Sequence, residues 1–336
     1  MEIIYASDEN YFPYIYVGIQ TLLETNSDKD IHVNYIYQNV SDRNLKYLDD
    51  LGKKYGHTVN SFEFVMPEVY EKLPSYQGTG SKTTYAKFLF ASMFPNAEKV
   101  LFLDPDTIVL GNIQYLIDIE LGDYLIAGVT ECLPSYHKDA AKMDARDQYI
   151  NGGMVLCNLK KWREENFEER ALERLGDITT NFNYDQGIIN EMCAGRILVL
   201  DPCYNALAEI FAFKSAEKIK KRYGFDDYYT QEQIEQSYKH PVIVHFTEFL
   251  YNKPLSKYCT HPYAKYFWKK LSESPLDYQL KDKQLDNKHK MRKWMLDHTP
   301  FSVYLLFESV LDFRRVFYMK HPFAKKLYTK IKQGKS

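Results

Sequence analysis

Apolar and polar positions in the first third of the chain switch repeatedly between strand and helix periods. Residues 2–7 form a short apolar run closed by Asp8, as a buried strand would. Residues 13–25 set Ile15, Ile19, Leu22 and Leu23 on one side of a helix. A second strand is predicted over 31–37. Asp42 then stands as an N-cap for a helix reaching Tyr55, with Leu45, Leu48 and Leu51 at helical spacing. A third strand is predicted over 59–65. Strands alternating with helices predict an α/β fold, a parallel sheet covered by helices on both faces.

The next stretch, 73–84, holds Pro74, Gly78 and Gly80 among several Ser and Thr residues. Within it, the composition of 75–82 permits the backbone changes an active-site lid needs. A helix over 85–94 follows, then a strand over 99–103 that runs into Asp104-Pro105-Asp106, with 107–110 extended. Further strands are predicted over 124–130, 149–156, 196–200 and 242–246, with a charged helix over 160–175 and another over 184–193. Beyond Pro262 the pattern is helical and basic to the end.

Composition narrows the class. The chain has 336 residues, 45% hydrophobic and 26% charged, which are globular proportions. The net charge of −2 argues against nucleic acid as a partner of the whole chain. It hides an asymmetry: residues 281–336 carry 14 Lys and Arg against 5 Asp and Glu, a local +9, so the body before them carries −11. The five cysteines are odd in number and form no C-x-x-C pair, which argues against a disulfide framework or a zinc site. The first residues hold no basic n-region and apolar h-region, and no run reaches the ~20 apolar residues of a membrane span. A cytoplasmic protein with a membrane-facing tail is the expectation.

No G-x-G-x-x-G follows the first strand and no P-loop motif occurs, so dinucleotide and P-loop chemistry lose their basis. Asp104 and Asp106 remain. They close an apolar strand, where open α/β sheets bind ligands. On extended backbone, residues i and i+2 point the same way, so both carboxylates can reach one cation. Hard oxygen donors suit Mn²⁺ or Mg²⁺, which would neutralise a diphosphate. His245, near the end of the last strand and followed by a loop containing Lys253-Pro254, can complete such a site and add a phosphate cation. Three plainer alternatives stand beside this one: two solvated aspartates in a turn, a haloacid-dehalogenase-like phosphatase reading D-x-D-T as its nucleophile loop, and a non-catalytic carbohydrate-binding protein.

Taken together, Ala6-Ser7-Asp8-Glu9-Asn10-Tyr11, Leu103-Asp104-Pro105-Asp106-Thr107, Asn151-Gly152-Gly153, Tyr184-Asp185-Gln186 and His245 with Lys253-Pro254 occur in an order that resembles glycosyltransferase family eight. That family includes bacterial lipopolysaccharide galactosyl- and glucosyltransferases and glycogenin. The resemblance covers about residues 1–260. It implies a GT-A fold with a Rossmann-like, mostly parallel nucleotide-binding sheet, a UDP-sugar donor, Mn²⁺ or Mg²⁺, and transfer with retention of configuration. Asp104, Asp106 and His245 match the metal ligands, and Asp104 also a contact to ribose or sugar. Asp8 and Asn10 match positions contacting uridine, with Ala6 in the same donor-binding segment. Asn151, with Gly152, and Asp185 and Gln186 match residues around the donor sugar, with Gln186 near the anomeric carbon. Lys253 matches the lysine on the diphosphate. Lys87 stands where the family usually has arginine, so the charge is kept and the bidentate fork is lost. From His245 to Lys253 the gap is eight residues, where many relatives have six.

Two regions follow from this reading: 1–260 as the catalytic domain and 261–336 as a helical, basic and aromatic membrane-association region. Arg292, Lys293, Trp294, Phe313, Arg314, Arg315, Phe317 and Tyr318, then Phe323, Lys325, Lys326, Tyr328 and Lys330, interleave cations with rings. That mix suits an anionic bilayer. Many bacterial members of the family glycosylate lipid-linked acceptors. The resemblance therefore implies an oligosaccharide on a polyprenyl diphosphate, a capsule or cell-surface glycan, and a peripheral place on the inner face of the cell membrane. Homo-oligomerisation is left open.

Overall fold

A computed structural model of the chain describes residues 1–65, 67–68, 82–176 and 184–321. Most of the proposed lid over 75–82, and the tail residues from Phe323 onward, lie outside them. The main sheet has seven strands: β1 (Glu2–Asp8), β2 (His32–Gln38), β3 (Val59–Glu63), β4 (Val100–Leu103), then, skipping a short ribbon strand β5 (Thr107–Val109), β6 (Ile126–Thr130), β7 (Ile150–Cys157) and β8 (Ile197–Val199). Their order is β3-β2-β1-β4-β7-β6-β8. β1 pairs in parallel with β2 on one side and β4 on the other, so the chain winds outward to β3 and then returns past β1. The crevice beyond the C-terminal ends of β1 and β4 is therefore a topological switch point. Asp8 ends one wall of it and Asp104 follows the other.

β7 departs from the expected parallel pairing. It runs antiparallel to β4 and to β6, with Val100 opposite Cys157 and Ile126 opposite the same residue. Reversal brings its beginning, Asn151-Gly152-Gly153, to the edge where the other strands end. All eight of its residues are buried, so its pattern carries no alternation and no trace of direction.

β5 does not join the main sheet. It forms a two-stranded antiparallel ribbon with β9 (Ile243–His245), in the register Thr107 to His245. The helix Phe12–Asn26 supports the other edge of β5. Thr21 Oγ1 accepts the Val109 N–H at 3.1 Å, and Asn26 Oδ1 accepts the Ile113 N–H at 3.0 Å while its amide donates to the Gly111 carbonyl at 3.1 Å. Both side chains are fully buried, and without them these backbone groups would be orphaned in the core.

Local differences from the sequence reading have physical causes. Ser41, not Asp42, is the N-cap of the helix Asp42–Lys54. The Glu9 carboxylate takes the Ser41 N–H at 3.1 Å and the Asn44 amide at 2.9 Å, favourable negative charge at a helix start. The predicted helix over 160–175 is two, Leu159–Glu164 and Phe167–Gly176, broken at Asn166 with φ +50°. The break lets Phe167 stack on Trp162 at 4.1 Å, while the indole donates to the Leu125 carbonyl. Residues 83–89 wind as a 3-10 turn rather than α-helix, followed by Phe90–Met93.

Past the sheet, the helices Asn287–His298 and Phe301–Lys320 pack on the body. Tyr304 is fully buried and meets Phe213 edge-on at 6.0 Å. Glu308 is gripped from both sides: Arg292 Nε donates to it at 2.6 Å, Arg292 Nη2 at 2.9 Å and Arg222 Nη2 at 2.7 Å. The opposite face of the same helix exposes Val303, Leu306, Val310, Phe313 and Phe317, spaced three and four residues apart.

Burial alone would raise the Glu308 carboxyl, but the two guanidiniums outweigh it and hold the group below its usual range. Removing one partner of a buried ion group leaves uncompensated charge. Glu308→Ala is expected to cost about 3–5 kcal/mol in denaturant unfolding. A lowered folded-state value means the contribution is present above the ordinary glutamate value of ~4.3 and is lost as pH falls through the lower one. The stability gap between Glu308→Gln and the parent should therefore close under acid.

Candidate active site

Backbone bonds fix the turn after β4. The Asp104 N–H donates to the Gly153 carbonyl at 2.7 Å, and the Asp104 carbonyl accepts the Thr107 hydroxyl at 2.8 Å. The Asp106 carbonyl accepts the Phe246 N–H at 2.9 Å, and the His245 N–H donates to the Ala206 carbonyl at 3.1 Å. The ribbon register thus sets the imidazole beside both carboxylates. His245 Nε2 lies 3.4 Å from Asp106 Oδ1 and 3.7 Å from Asp104 Oδ2. Donor atoms of the three residues lie within 4.8 Å of one another.

This donor set suits a divalent cation: two hard carboxylates and one imidazole in a largely buried spot. Gly153 forms the floor. A Cβ built there would stand 2.2 Å from His245 Cε1 and 2.6 Å from Asp104 Oδ2, so β7 can pass under the cluster only without a side chain. Burial, with Asp106 close by, pushes the Asp104 carboxyl up to about 6 despite the pull of His245 and Lys87. Burial would raise Asp106 too, but Lys253 and His245 outweigh it and hold that carboxyl below the usual range. His245 is raised, because the two carboxylates overcome the effect of its burial. Lys253 Nζ sits 2.8 Å from Asp106 Oδ2, facing the cation position from the loop after β9.

Beside the cluster opens a cavity of about 420 Å³, lined by Ala6 and Asp8 from β1 and by Asn151 and Gly152 from β7, with Asp185 and Gln186 packed beside Gly152. Lys87, 1% exposed, donates to the Gly152 carbonyl at 3.1 Å, forms a very short bond to Asp185, and lies 4.3 Å from the centre of the Phe102 ring. The lysine pairs with Asp185 rather than lining the cavity itself. Gln186 Oε1 accepts the Gly152 N–H at 2.8 Å, which fixes the amide at the cavity wall.

Asn10 stands apart. Its N–H is bonded to Asp8 Oδ1 at 3.0 Å, but its exposed side chain borders a second hollow, beside Arg43 and Tyr278. Glu131 is the main residue missed in the sequence. It follows β6, lines the cavity and accepts the Asn151 amide. Its only sequence signal is a carboxylate one step beyond an apolar strand. Asn205, fully buried, was equally invisible; it donates to Asn151 Oδ1 at 3.0 Å, which also takes the Gly153 N–H at 2.9 Å.

A sequence profile of glycosyl transferase family 8 matches residues 2–254. The chain belongs to that family. This family 8 chain is 24% identical over 279 residues to the lipopolysaccharide 1,2-glucosyltransferase of Escherichia coli K12, covering 82% of this chain and 78% of that one. A Haemophilus influenzae protein is 27% identical over 209 residues, which span 61% of this chain and 63% of that protein. In three dimensions, the crystal structure of the galactosyltransferase LgtC with donor and acceptor sugar analogs superposes with a TM-score of 0.68. The match covers 87% of this chain and 99% of LgtC at 21% identity, so the two share the GT-A fold. The matched family and its relatives make this chain a glycosyltransferase with a candidate divalent-metal site.

Gly153→Ala tests the cradle. The added methyl must displace His245 or Asp104, and disturbing the support of metal ligands typically costs 10–100-fold in metal affinity. Titration calorimetry with Mn²⁺ should show a loss of that order, and because the methyl overpacks a buried strand the unfolding midpoint should fall as well.

Proposed function

We propose that this glycosyltransferase moves a hexose from a UDP-sugar, with retention of configuration, to a lipid-linked glycan of the bacterial cell surface or capsule. The observation that carries the reading is the convergence of Asp104, Asp106 and His245 beside Lys253, at the switch-point crevice. A divalent cation, Mn²⁺ in this reading, would be held by those three residues and supply Lewis-acid neutralisation of the diphosphate. Lys253 adds a positive charge where the leaving group gains negative charge. Ala6 and Asp8 face the nucleoside, with Asn10 at the rim. Lys87 holds Asp185, and Asn151, Gly152 and Gln186 orient the hexose.

Retention needs either two displacements or attack from the leaving group's own side. Two of the cavity's carboxylates outside the metal cluster, those bonded around Asn151 and Gly152, are poorly disposed as nucleophiles. Asp185 is paired with Lys87, and Glu131 accepts both the Asn151 amide and the Cys132 N–H. Gln186 is an amide. Same-face attack fits better, with the departing phosphate oxygen accepting the acceptor's proton. The phosphatase alternative loses its threonine, since Thr107 is spent inside the Asp104 turn.

In this reading, residues 1–260 perform the transfer and 261–336 hold the enzyme against the inner face of the membrane. Among the described residues no helix is long and apolar enough to cross a membrane. The exposed stripe on Phe301–Lys320, with Met291 and Trp294 nearby in sequence, suits shallow burial among headgroups. Arg314 and Lys320 are exposed on the same helix, whereas its acids turn inward: Glu308 pairs with Arg292 and Asp312 with Arg222.

A screen of UDP-sugars with Mn²⁺, reading UDP release, tests the chemistry. Asp106→Ala should lower turnover by at least about 100-fold, and His245→Ala by less, since two carboxylates remain. An Asp106→Ala enzyme with parental turnover would sink the assignment. For the membrane, Leu306→Asp with Phe313→Asp should abolish flotation on phosphatidylglycerol vesicles and leave UDP-sugar hydrolysis unchanged. Equal flotation of both proteins would remove this surface from the reading.

A further inference from the structure

The loop that carries Lys253 is held by a run of occupied carbonyls. The Asn252 carbonyl accepts the Cys259 thiol at 2.7 Å, and the Lys253 carbonyl accepts the Ser256 N–H at 3.0 Å. The Pro254 carbonyl accepts the Trp268 indole N–H at 2.6 Å, and the Leu255 carbonyl accepts the Lys281 N–H at 2.7 Å. The Lys257 N–H returns to the Lys281 carbonyl at 3.1 Å, which completes a parallel bridge between Ser256 and Lys281. Ser256, buried, adds a hydroxyl bond to the Lys283 carbonyl at 2.6 Å. Two of these donors come from outside the loop: Trp268 from the helix Ala264–Ser272, and the 281–283 segment that leads into the C-terminal helices.

We infer that Trp268 and the 281–283 segment are positioning elements for Lys253, so that the C-terminal region sets where the diphosphate cation can reach. A lysine side chain is a long, flexible stem. Its useful range depends on where its Cα is fixed, and here the peptides on both sides of that Cα are held. The ammonium now bonds Asp106 and lies 5.4 Å from the centre of the Tyr11 ring. To meet a diphosphate, the tip must turn while its base stays still. Anchoring the base keeps that turn short and cuts the ordering cost when the donor binds. The proposal rests on the reading of Lys253 as the diphosphate cation, and a readout free of that reading accompanies the test.

Trp268→Phe removes the indole donor and keeps most of the ring. In the full-length protein with Mn²⁺, calorimetric titration with UDP should show about 5–20-fold weaker affinity, within the range of one lost, partly buried hydrogen bond. Affinity for uridine should be unchanged. In a Lys253→Ala background, Trp268→Phe should cost nothing further, because the indole acts only through that lysine. An equal loss in both backgrounds, or a parallel loss for uridine, would overturn the inference. Hydrogen exchange on the unliganded protein supplies the independent arm. Trp268→Phe should speed exchange of the Ser256, Lys257 and Cys259 amides and leave β1 and β4 protected. Unchanged exchange in that loop would overturn the inference even where UDP fails to bind, an outcome that would itself remove the donor reading.

Discussion

Two aspartates one residue apart, held at the end of a buried strand, cannot both stay ionised without positive charge close by. Much of the architecture around the crevice answers that constraint. Asp106 meets Lys253 and His245, and Asp104 shares His245 and lies within the field of Lys87. The two carboxyls are driven in opposite directions, one up and one down. Such a split pair gains much from a divalent ion, because the ion removes the repulsion that burial magnifies.

The supports that keep this arrangement come from different layers. β4 delivers the aspartates, and the helix Phe12–Asn26 braces β5 from behind through Thr21 and Asn26. β7 contributes the absence of a side chain at Gly153. Asn205 and Glu131 hold the two ends of the Asn151 amide, so the cavity wall and the floor of the aspartate cluster share one strand. The ammonium of Lys87, wholly inside, would be costly if unpaired; its bonds to Asp185 and Gly152 make it a strut.

What could be seen in the amino-acid order was whatever is written locally. The apolar run before Asp104, the i and i+2 carboxylates and the strand ending at His245 are each visible within a few residues. The order of motifs then brought the family into view. Direction and pairing were not local. β7 is buried on both sides and carries no alternation, so nothing in its composition distinguishes parallel from antiparallel. The β5–β9 ribbon is too short to announce itself as separate from the sheet. Asn205 and Glu131 matter through partners far along the chain, and the helix breaks at Asn166, with a ring pair stacked across the break. Asn10, matched by motif, bonds Asp8 through its backbone and borders a neighbouring hollow.

The register of Thr107 against His245 joins stretches of chain that are synthesised far apart in time. A nascent polypeptide that has emerged only through β7 already contains the aspartates, their glycine floor and Asn151 with Gly152, yet it lacks the imidazole and the lysine. Pairings of such long sequence separation form late, since the loop must close before the contacts repay it. The candidate donor set is therefore incomplete until β9 has paired with β5, so its assembly reports a long-range closure rather than the formation of any one strand.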